Sequence, residues 1–145
     1  DVMDRLTNII KPKKIFMGEK DFQQLFLVKK YIENRYKSKI ISCKTIRDNN
    51  KLALSSRNFL LKKYYLKIAG KLAKNLFSFK KKLNNKQISK NDLIFKKKEL
   101  SNLYNVDVEY LELRNIFKLN ISNTTKNSKI FVAYYINKIR LIDNF

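Results

Sequence analysis

The segment IFMGEKDFQQLFLVKKYIENRYKSKIISCKT, residues 15–45, decides how the chain must be read. Ile15-Phe16-Met17 is a short apolar run between a proline-broken approach, Lys11-Pro12-Lys13-Lys14, and a turn, Gly18-Glu19-Lys20-Asp21. That pattern predicts a buried strand. From Phe22 to Glu33 the apolar residues Phe22, Leu25, Phe26 and Ile32 fall at helical spacing, with Asp21 placed to cap the helix. Asn34 to Lys39 is polar, and Lys39 to Thr45 reads as the next strand. A strand, a glycine turn and a capped helix leading to a further strand form the unit from which parallel α/β sheets are built. Upstream, Val2, Met3, Leu6, Ile9 and Ile10 mark another helix. Residues 1–45 are therefore expected to be the tail of a doubly wound domain.

From Ile46 the character changes. Arg47-Asp48-Asn49-Asn50-Lys51 is a polar loop, and Leu52 to Asn58 is expected to continue into a long helix. Leu61, Tyr65, Ile68, Leu72 and Leu76 hold one face of that helix, while Lys63, Lys67, Lys71 and Lys74 form a solvated stripe on another. A lysine-rich linker, Lys80 to Lys90, precedes a second helix from Asn91 to Leu103. Val106 to Leu113, Ile130 to Ile136 and Lys138 to Ile142 read as strands, with Asn137-Lys138 as a tight hairpin turn between the last two. Residues 46–145 are thus an α+β unit ending in a short antiparallel sheet.

Composition narrows the chemistry. With no histidine in 145 residues, neither a histidine-dependent triad nor an ordinary zinc site can be built from this chain alone. The single cysteine, Cys43, precludes an internal disulfide, and its neighbours Ile40 and Ile41 predict a buried structural thiol. No apolar run approaches the roughly 20 residues that span a bilayer, and no signal-peptide pattern opens the chain, so the reading is a cytoplasmic protein without a membrane partner. The chain begins at Asp1, inside a helical pattern, and is expected to be a piece of a longer protein. A net charge of +21 raises nucleic acid as a partner. Only 6 of the 33 basic residues are Arg, however, and base-edge recognition favours Arg over Lys. Abundant Lys, Asn, Ile and Phe beside scarce Gly, Pro and Trp point instead to compositional drift.

Two clusters carry candidate chemistry. In Gly18-Glu19-Lys20-Asp21-Phe22-Gln23-Gln24 a glycine, an ammonium group and a helix N-terminus coincide, a combination suited to phosphate. A strand-to-helix turn also uses Gly and Asp for geometric reasons. In Leu52-Ala53-Leu54-Ser55-Ser56-Arg57-Asn58 two hydroxyls and a guanidinium could stabilise the charge on a departing pyrophosphate. The plainer reading is a helix N-cap at Ser55, Ser56 or Asn58.

Taken together and in order, these clusters resemble the pantothenate synthetase family, whose members carry GEKDFQQL, a stretch like PTVREADGLAMSSRN, then VDYLELR and TRLIDN. The corresponding residues here are Gly18–Leu25, Thr45-Ile46-Arg47, Leu52–Asn58, Val108–Arg114 (VEYLELR) and Ile139–Asn144 (IRLIDN). The resemblance implies a Rossmann-like nucleotide-binding domain ending near residue 45, followed by a lid over residues 46–145. It implies an ATP-dependent ligase that activates pantoate as an adenylate and passes it to β-alanine, with Mg2+ carried on the nucleotide and no metal ligand assigned. By the same resemblance Gly18, Glu19, Lys20, Asp21, Ile46, Leu54, Ser55, Ser56 and Arg57 contact ATP. Lys20, Ser55 and Arg57 carry catalysis at the phosphates, and Gln24 binds pantoate. The family's histidine motif and its other pantoate glutamine belong to an N-terminal half that would lie upstream of Asp1, and the completed protein would be a homodimer. Lys44 stands where the family has proline, and Asn50-Lys51 where it has Asp-Gly, so the loop before the serines is expected to close differently. The rival readings are a lysine-rich nucleic-acid-binding module, with Phe79 and Phe95 beside lysine triplets, and an adenylate-forming ligase for another acid.

Overall fold

α1 (Val2–Ile10) leads into β1 (Lys14–Gly18), α2 (Phe22–Arg35) and β2 (Lys39–Cys43), the strand–helix–strand order expected from the apolar pattern. These elements come from a computed structural model that describes residues 2–83 and 87–145. The chain divides into two compact units, Asp1–Thr45 and Ile46–Phe145.

In the first unit β1 and β2 pair in parallel, with Ile15 opposite Ile40 and Phe16 opposite Ile41. Leu25 and Ile32 of α2 bury against Ile40, with Ile15, Met17, Phe22 and Val28 packed around them. Within this unit α2 lies against one face of a two-stranded sheet, and side chains alternate along a strand, so every second residue points away from that core. Two expectations are corrected as a result. β1 is half-buried rather than buried, with Phe16 67% exposed, and Cys43 at the end of β2 is an exposed thiol. Asp21 is also not the expected cap: a 3-10 turn, Glu19–Asp21, leads into α2, and the Asp21 side chain makes no capping bond. Away from the turn, the Tyr36 hydroxyl donates to Asp4 Oδ1 at 2.7 Å and Arg35 pairs with Asp4, which ties α1 to the end of α2.

The second unit contains α3 (Lys63–Leu83), α4 (Lys90–Tyr104), β3 (Asp107–Asn115), β4 (Ser128–Ile136) and β5 (Ile139–Asn144). The three strands form an antiparallel sheet in the order β3-β4-β5. Leu72 and Leu76 of α3, Leu100 of α4, Leu113 of β3 and Ile130, Val132 and Tyr134 of β4 are almost wholly buried in one core. The lysine stripe of α3 is solvated as expected: Lys63, Lys67, Lys71 and Lys74 are exposed, whereas Leu61, Leu72 and Leu76 are buried. α4 opens with a capping box, in which the Ser89 hydroxyl accepts from the Asp92 amide and the Asp92 carboxylate accepts from the Ser89 amide.

Two boundaries differ from expectation. Leu52–Asn58 does not continue into the long helix. A 3-10 turn, Ser56–Leu60, ends at an extended Leu61, and α3 begins only at Lys63. Lys80–Lys82 belong to the last turn of α3 rather than to a linker, where Phe79 and Leu83 on either side of them still pack against the core; residues 84–86 of the expected linker lie outside the described residues. Among the described residues no helix is long and apolar enough to cross a membrane.

The β4–β5 hairpin turns as its sequence predicts. Ile136 faces Ile139, leaving Asn137 and Lys138 as a two-residue loop with φ of 46° and 65°. Both residues are left-handed, as a type I′ turn requires, and lysine tolerates this less readily than glycine. Lys138→Gly should therefore stabilise the second unit by about 0.5–1 kcal/mol, after allowance for the greater freedom of glycine in the unfolded chain. Thermal unfolding followed by circular dichroism would show a midpoint raised by about 3 °C.

Candidate functional site

The first cluster lies at the end of β1. Gly18 closes the strand in an extended conformation, φ −70° and ψ 136°, which any residue could adopt. A methyl group added there would meet nothing within 4 Å. Neither backbone strain nor packing within the chain calls for glycine here, which leaves open surface next to its backbone. Glu19 is tethered across the sheet, its Oε1 accepting from the Ser42 hydroxyl at 2.9 Å. Lys20 is half-buried in the 3-10 turn, while Asp21 and Gln24 are exposed at the N-terminal end of α2.

The second cluster lies on a loop pinned back on itself. Arg47 bridges to Ala53 as in a short hairpin, and the Leu54 amide donates to the Ile46 carbonyl at 3.0 Å. At its tip the Asp48 carboxylate accepts from the amides of Asn50 and Leu52 at 2.8 and 2.9 Å. Lys51 takes a φ of 67°, the left-handed geometry in which the family pattern has glycine. The loop also presses on α3: a Cβ on Gly70 would come within 2.8 Å of Asn50 Cβ. Ile46 and Leu54 are left exposed at the hairpin's ends.

From Ser55 the chain turns into the 3-10 segment. The Ser55 hydroxyl accepts from the Arg57 amide at 3.3 Å, so the capping role is real but serves one short turn rather than α3. The Asn58 side chain donates to the Ala53 carbonyl at 3.0 Å and folds the segment against the hairpin. Arg57 Nη1 donates to the Arg140 carbonyl of β5 at 3.0 Å. Ser55 is half-buried, and Ser56, Arg57 and Phe59 are exposed, Phe59 at 91%.

Two charged pairs surround this loop, and sequence reasoning assigned neither a role. Arg47 grips Asp143 with both guanidinium arms, Nη1 to Oδ2 at 2.7 Å and Nη2 to Oδ1 at 2.8 Å. The same guanidinium donates to the carbonyls of Lys51 and Asn144 and lies 4.6 Å over the Phe145 ring. The pair is buried, with side-chain exposures of 17% and 5%. Removing one member of such a pair typically costs about 3–5 kcal/mol, because the other is left as an uncompensated charge. Positive charge gathers around it: burial, then Lys129 and Arg47, hold the Lys80 ammonium below its ordinary pKa. On the other side of β5 lies a more open pair, Arg140 with Glu109 at 2.6 and 3.1 Å. The Arg140 hydrogen bond lowers the Glu109 carboxyl and Glu109 in turn raises Arg140. Glu109 falls where the β3–β4 register shifts, between Val108 and Tyr110. Arg47 lies in the Thr45-Ile46-Arg47 segment, Glu109 in VEYLELR and Arg140 and Asp143 in IRLIDN, but no spacing rule links residues this far apart in sequence.

The structure thus brings together in the second unit the segments Ile46-Arg47, Leu52–Asn58, Val108–Arg114 and Ile139–Asn144, and places Gly18–Gln24 in the first. No group of three or more Cys, Asp or Glu residues among the described residues is placed to hold a metal ion.

A parallel βαβ unit followed by an α+β unit is an architecture used by nucleotide-handling α/β enzymes. The chain belongs to the pantoate-beta-alanine ligase family, whose model matches residues 1–145. It is 34% identical over 149 residues to the pantothenate synthetase of Campylobacter hominis, a match covering 99% of this chain and 52% of that protein. A Francisella tularensis pantothenate synthetase is 35% identical, with 99% and 47% covered. Among solved structures, the pantothenate synthetase of Thermus thermophilus superposes with a TM-score of 0.87 at 26% identity, covering 99% of this chain and 53% of that one. The Francisella tularensis pantoate-beta-alanine ligase, solved in complex with beta-gamma ATP and beta-alanine, superposes with a TM-score of 0.74 at 32% identity, covering 99% and 47%. The chain spans about half the length of the curated relatives it matches.

Proposed function

We propose that this chain supplies the C-terminal half of an ATP-dependent ligase that joins pantoate to β-alanine. The observation that carries the reading is the family match over residues 1–145. In the first step a pantoate carboxylate oxygen attacks the α-phosphorus of ATP. The bond from that phosphorus to the bridging oxygen breaks, giving pantoyl adenylate and pyrophosphate. In the second the amine of β-alanine attacks the acyl carbon, the acyl–phosphate bond breaks, AMP leaves and the amine gives up a proton. Positioning and charge stabilisation dominate such chemistry, and the residue assignments follow from that need.

Lys20 neutralises phosphate charge at the end of β1, where the open surface beside Gly18 lets the nucleotide approach the backbone. Glu19 and Asp21 complete the ATP contacts of that turn, and Gln24, exposed on the first turn of α2, hydrogen-bonds pantoate. Ser55, Ser56 and Arg57 take the β- and γ-phosphates as pyrophosphate departs, while Ile46 and Leu54 offer exposed apolar surface to the adenine. Mg2+ enters as part of the nucleotide substrate, held by phosphates and water. Residues 1–45 are the end of the Rossmann-like domain and residues 46–145 the lid. The family resemblance is also the ground for reading the completed enzyme as a cytoplasmic homodimer.

The test joins this chain to the N-terminal half of a family relative and measures pantoate-dependent exchange of pyrophosphate into ATP, with mass spectrometry for pantoyl adenylate. Exchange driven by pantoate supports the reading. Exchange driven only by a different acid would make the chain a ligase for that acid, and salt-sensitive nucleic-acid binding without exchange would favour the lysine-rich binding module.

A further inference from the structure

We infer that Arg47 and Asp143 are positioning residues that clamp the serine loop to β5. Neither is among the proposed nucleotide contacts, yet the loop is held to one strand at two places: Arg47 grips Asp143 and the Asn144 carbonyl, and Arg57 Nη1 reaches the Arg140 carbonyl. Those anchor points lie three and four residues apart on β5, so the strand acts as a ruler for residues 47–57. Between the anchors the loop is closed by its own bonds, Leu54 amide to Ile46 carbonyl, Asn58 side chain to Ala53 carbonyl and Arg47 to the Lys51 carbonyl. On its far side it packs on α3, where Asn50 lies close to Gly70. β5 is itself fixed, by pairing along β4 and by Arg140 to Glu109 on β3. The clamp therefore transmits the rigidity of the sheet to a loop whose functional side chains are largely exposed.

Exposure is why the loop needs such a clamp. Ser56 and Arg57 are exposed and Ser55 is half-buried, so these residues have little packing of their own to fix them. Arg47 is suited to the task because a planar fork can satisfy a carboxylate and two carbonyls at once, whereas an ammonium cannot. This inference rests on the assignment of Ser55–Arg57 to the ATP phosphates for its consequence in catalysis, but not for the mechanical claim.

The experiment has two arms. Asp143→Asn removes the charge, and Arg47→Lys keeps a cation beside Asp143 while losing the fork, which guards against a variant that fails to fold. In the first arm, hydrogen exchange on the 145-residue chain should show the Asp48, Leu52 and Leu54 amides accelerated about 10-fold or more in Arg47→Lys, with the Ile88 and Ser122 amides, bonded to the Asn123 and Leu113 carbonyls away from the clamp, unchanged. Unchanged loop amides would overturn the clamp, and uniform acceleration through the second unit would reduce the pair to a global stabiliser and overturn it as well. In the second arm, the completed enzyme should lose about 100-fold in kcat/KM for ATP in the exchange reaction with either variant, part of the loss being a raised KM. A merely structural role would lower kcat through the folded fraction and leave KM where it was. If the completed wild-type enzyme shows no pantoate-dependent exchange, the functional reading fails, while the amide measurement still decides the clamp.

Discussion

In the completed ligase, Lys20→Ala and Arg57→Ala should each reduce pantoate-dependent pyrophosphate exchange by roughly 100- to 1000-fold, the usual cost of deleting one positioned donor from a site of developing charge. Lys63→Ala should leave it within about twofold, since a solvated charge on a helix face contributes little beyond a screened field. All three substitutions remove one positive charge, so the comparison holds net charge constant and isolates position. Lys63 begins α3 on the exposed stripe, Lys20 sits half-buried in the turn after β1, and Arg57 is tethered to β5. Arg57→Lys should recover only a small part of the loss, because an ammonium cannot match two phosphate oxygens as a fork does. Equal losses from Lys63→Ala and Lys20→Ala would show that long-range charge, rather than these contacts, governs the reaction.

Much of the fold was legible because local signals agreed with one another. β1, α2 and β2 were marked by an apolar triplet, a glycine turn and helical spacing, and the β4–β5 hairpin by Asn137-Lys138 between two β-rich runs. What could not be read depended on contacts remote in sequence. The exposure of Phe16 and Cys43 follows from how many layers cover the sheet, which strand composition does not reveal. The break between Ser56–Leu60 and α3 was hidden because Leu61 fits the helical stripe, yet it is extended and packs into the core from outside the helix. For the candidate site, residue types marked the phosphate-suited segments Gly18–Gln24 and Leu52–Asn58. The Arg47–Asp143 pair spans 96 residues, and only the antiparallel sheet brings its ends together. Lys51 shows the reverse: the loop was expected to close differently because lysine takes a positive φ less readily than the family's glycine, yet Lys51 adopts a φ of 67°, its amide donating to the Asp48 carbonyl and its carbonyl accepting from Arg47.

The 145-residue chain by itself should give no measurable exchange, and adding the N-terminal half of a family relative, fused or in trans, should restore it. The chain covers only 52% of the Campylobacter hominis relative, and it contains no histidine, so any contact that the family makes through histidine has to come from outside it. Losing two or more positioned donors together would multiply penalties of about 100-fold each, to 10,000-fold or beyond, which takes turnover below detection. The first unit points the same way on physical grounds. A two-stranded parallel sheet with one helix packed on it is too small a layer to be stable alone, and α1 and β1 carry exposed apolar residues, among them Ile9 at 76% and Phe16. The second unit has its own continuous core across both helices and all three strands, and should fold without help. Hydrogen exchange on the isolated chain should accordingly find α2 and β2 far less protected than β4, with protection of the first unit rising when the N-terminal half is supplied. Restored exchange without that gain in protection would mean that the added half supplies chemistry only. Exchange by the chain alone would show that the site is complete in these 145 residues and that its assignment to half of an active site is wrong.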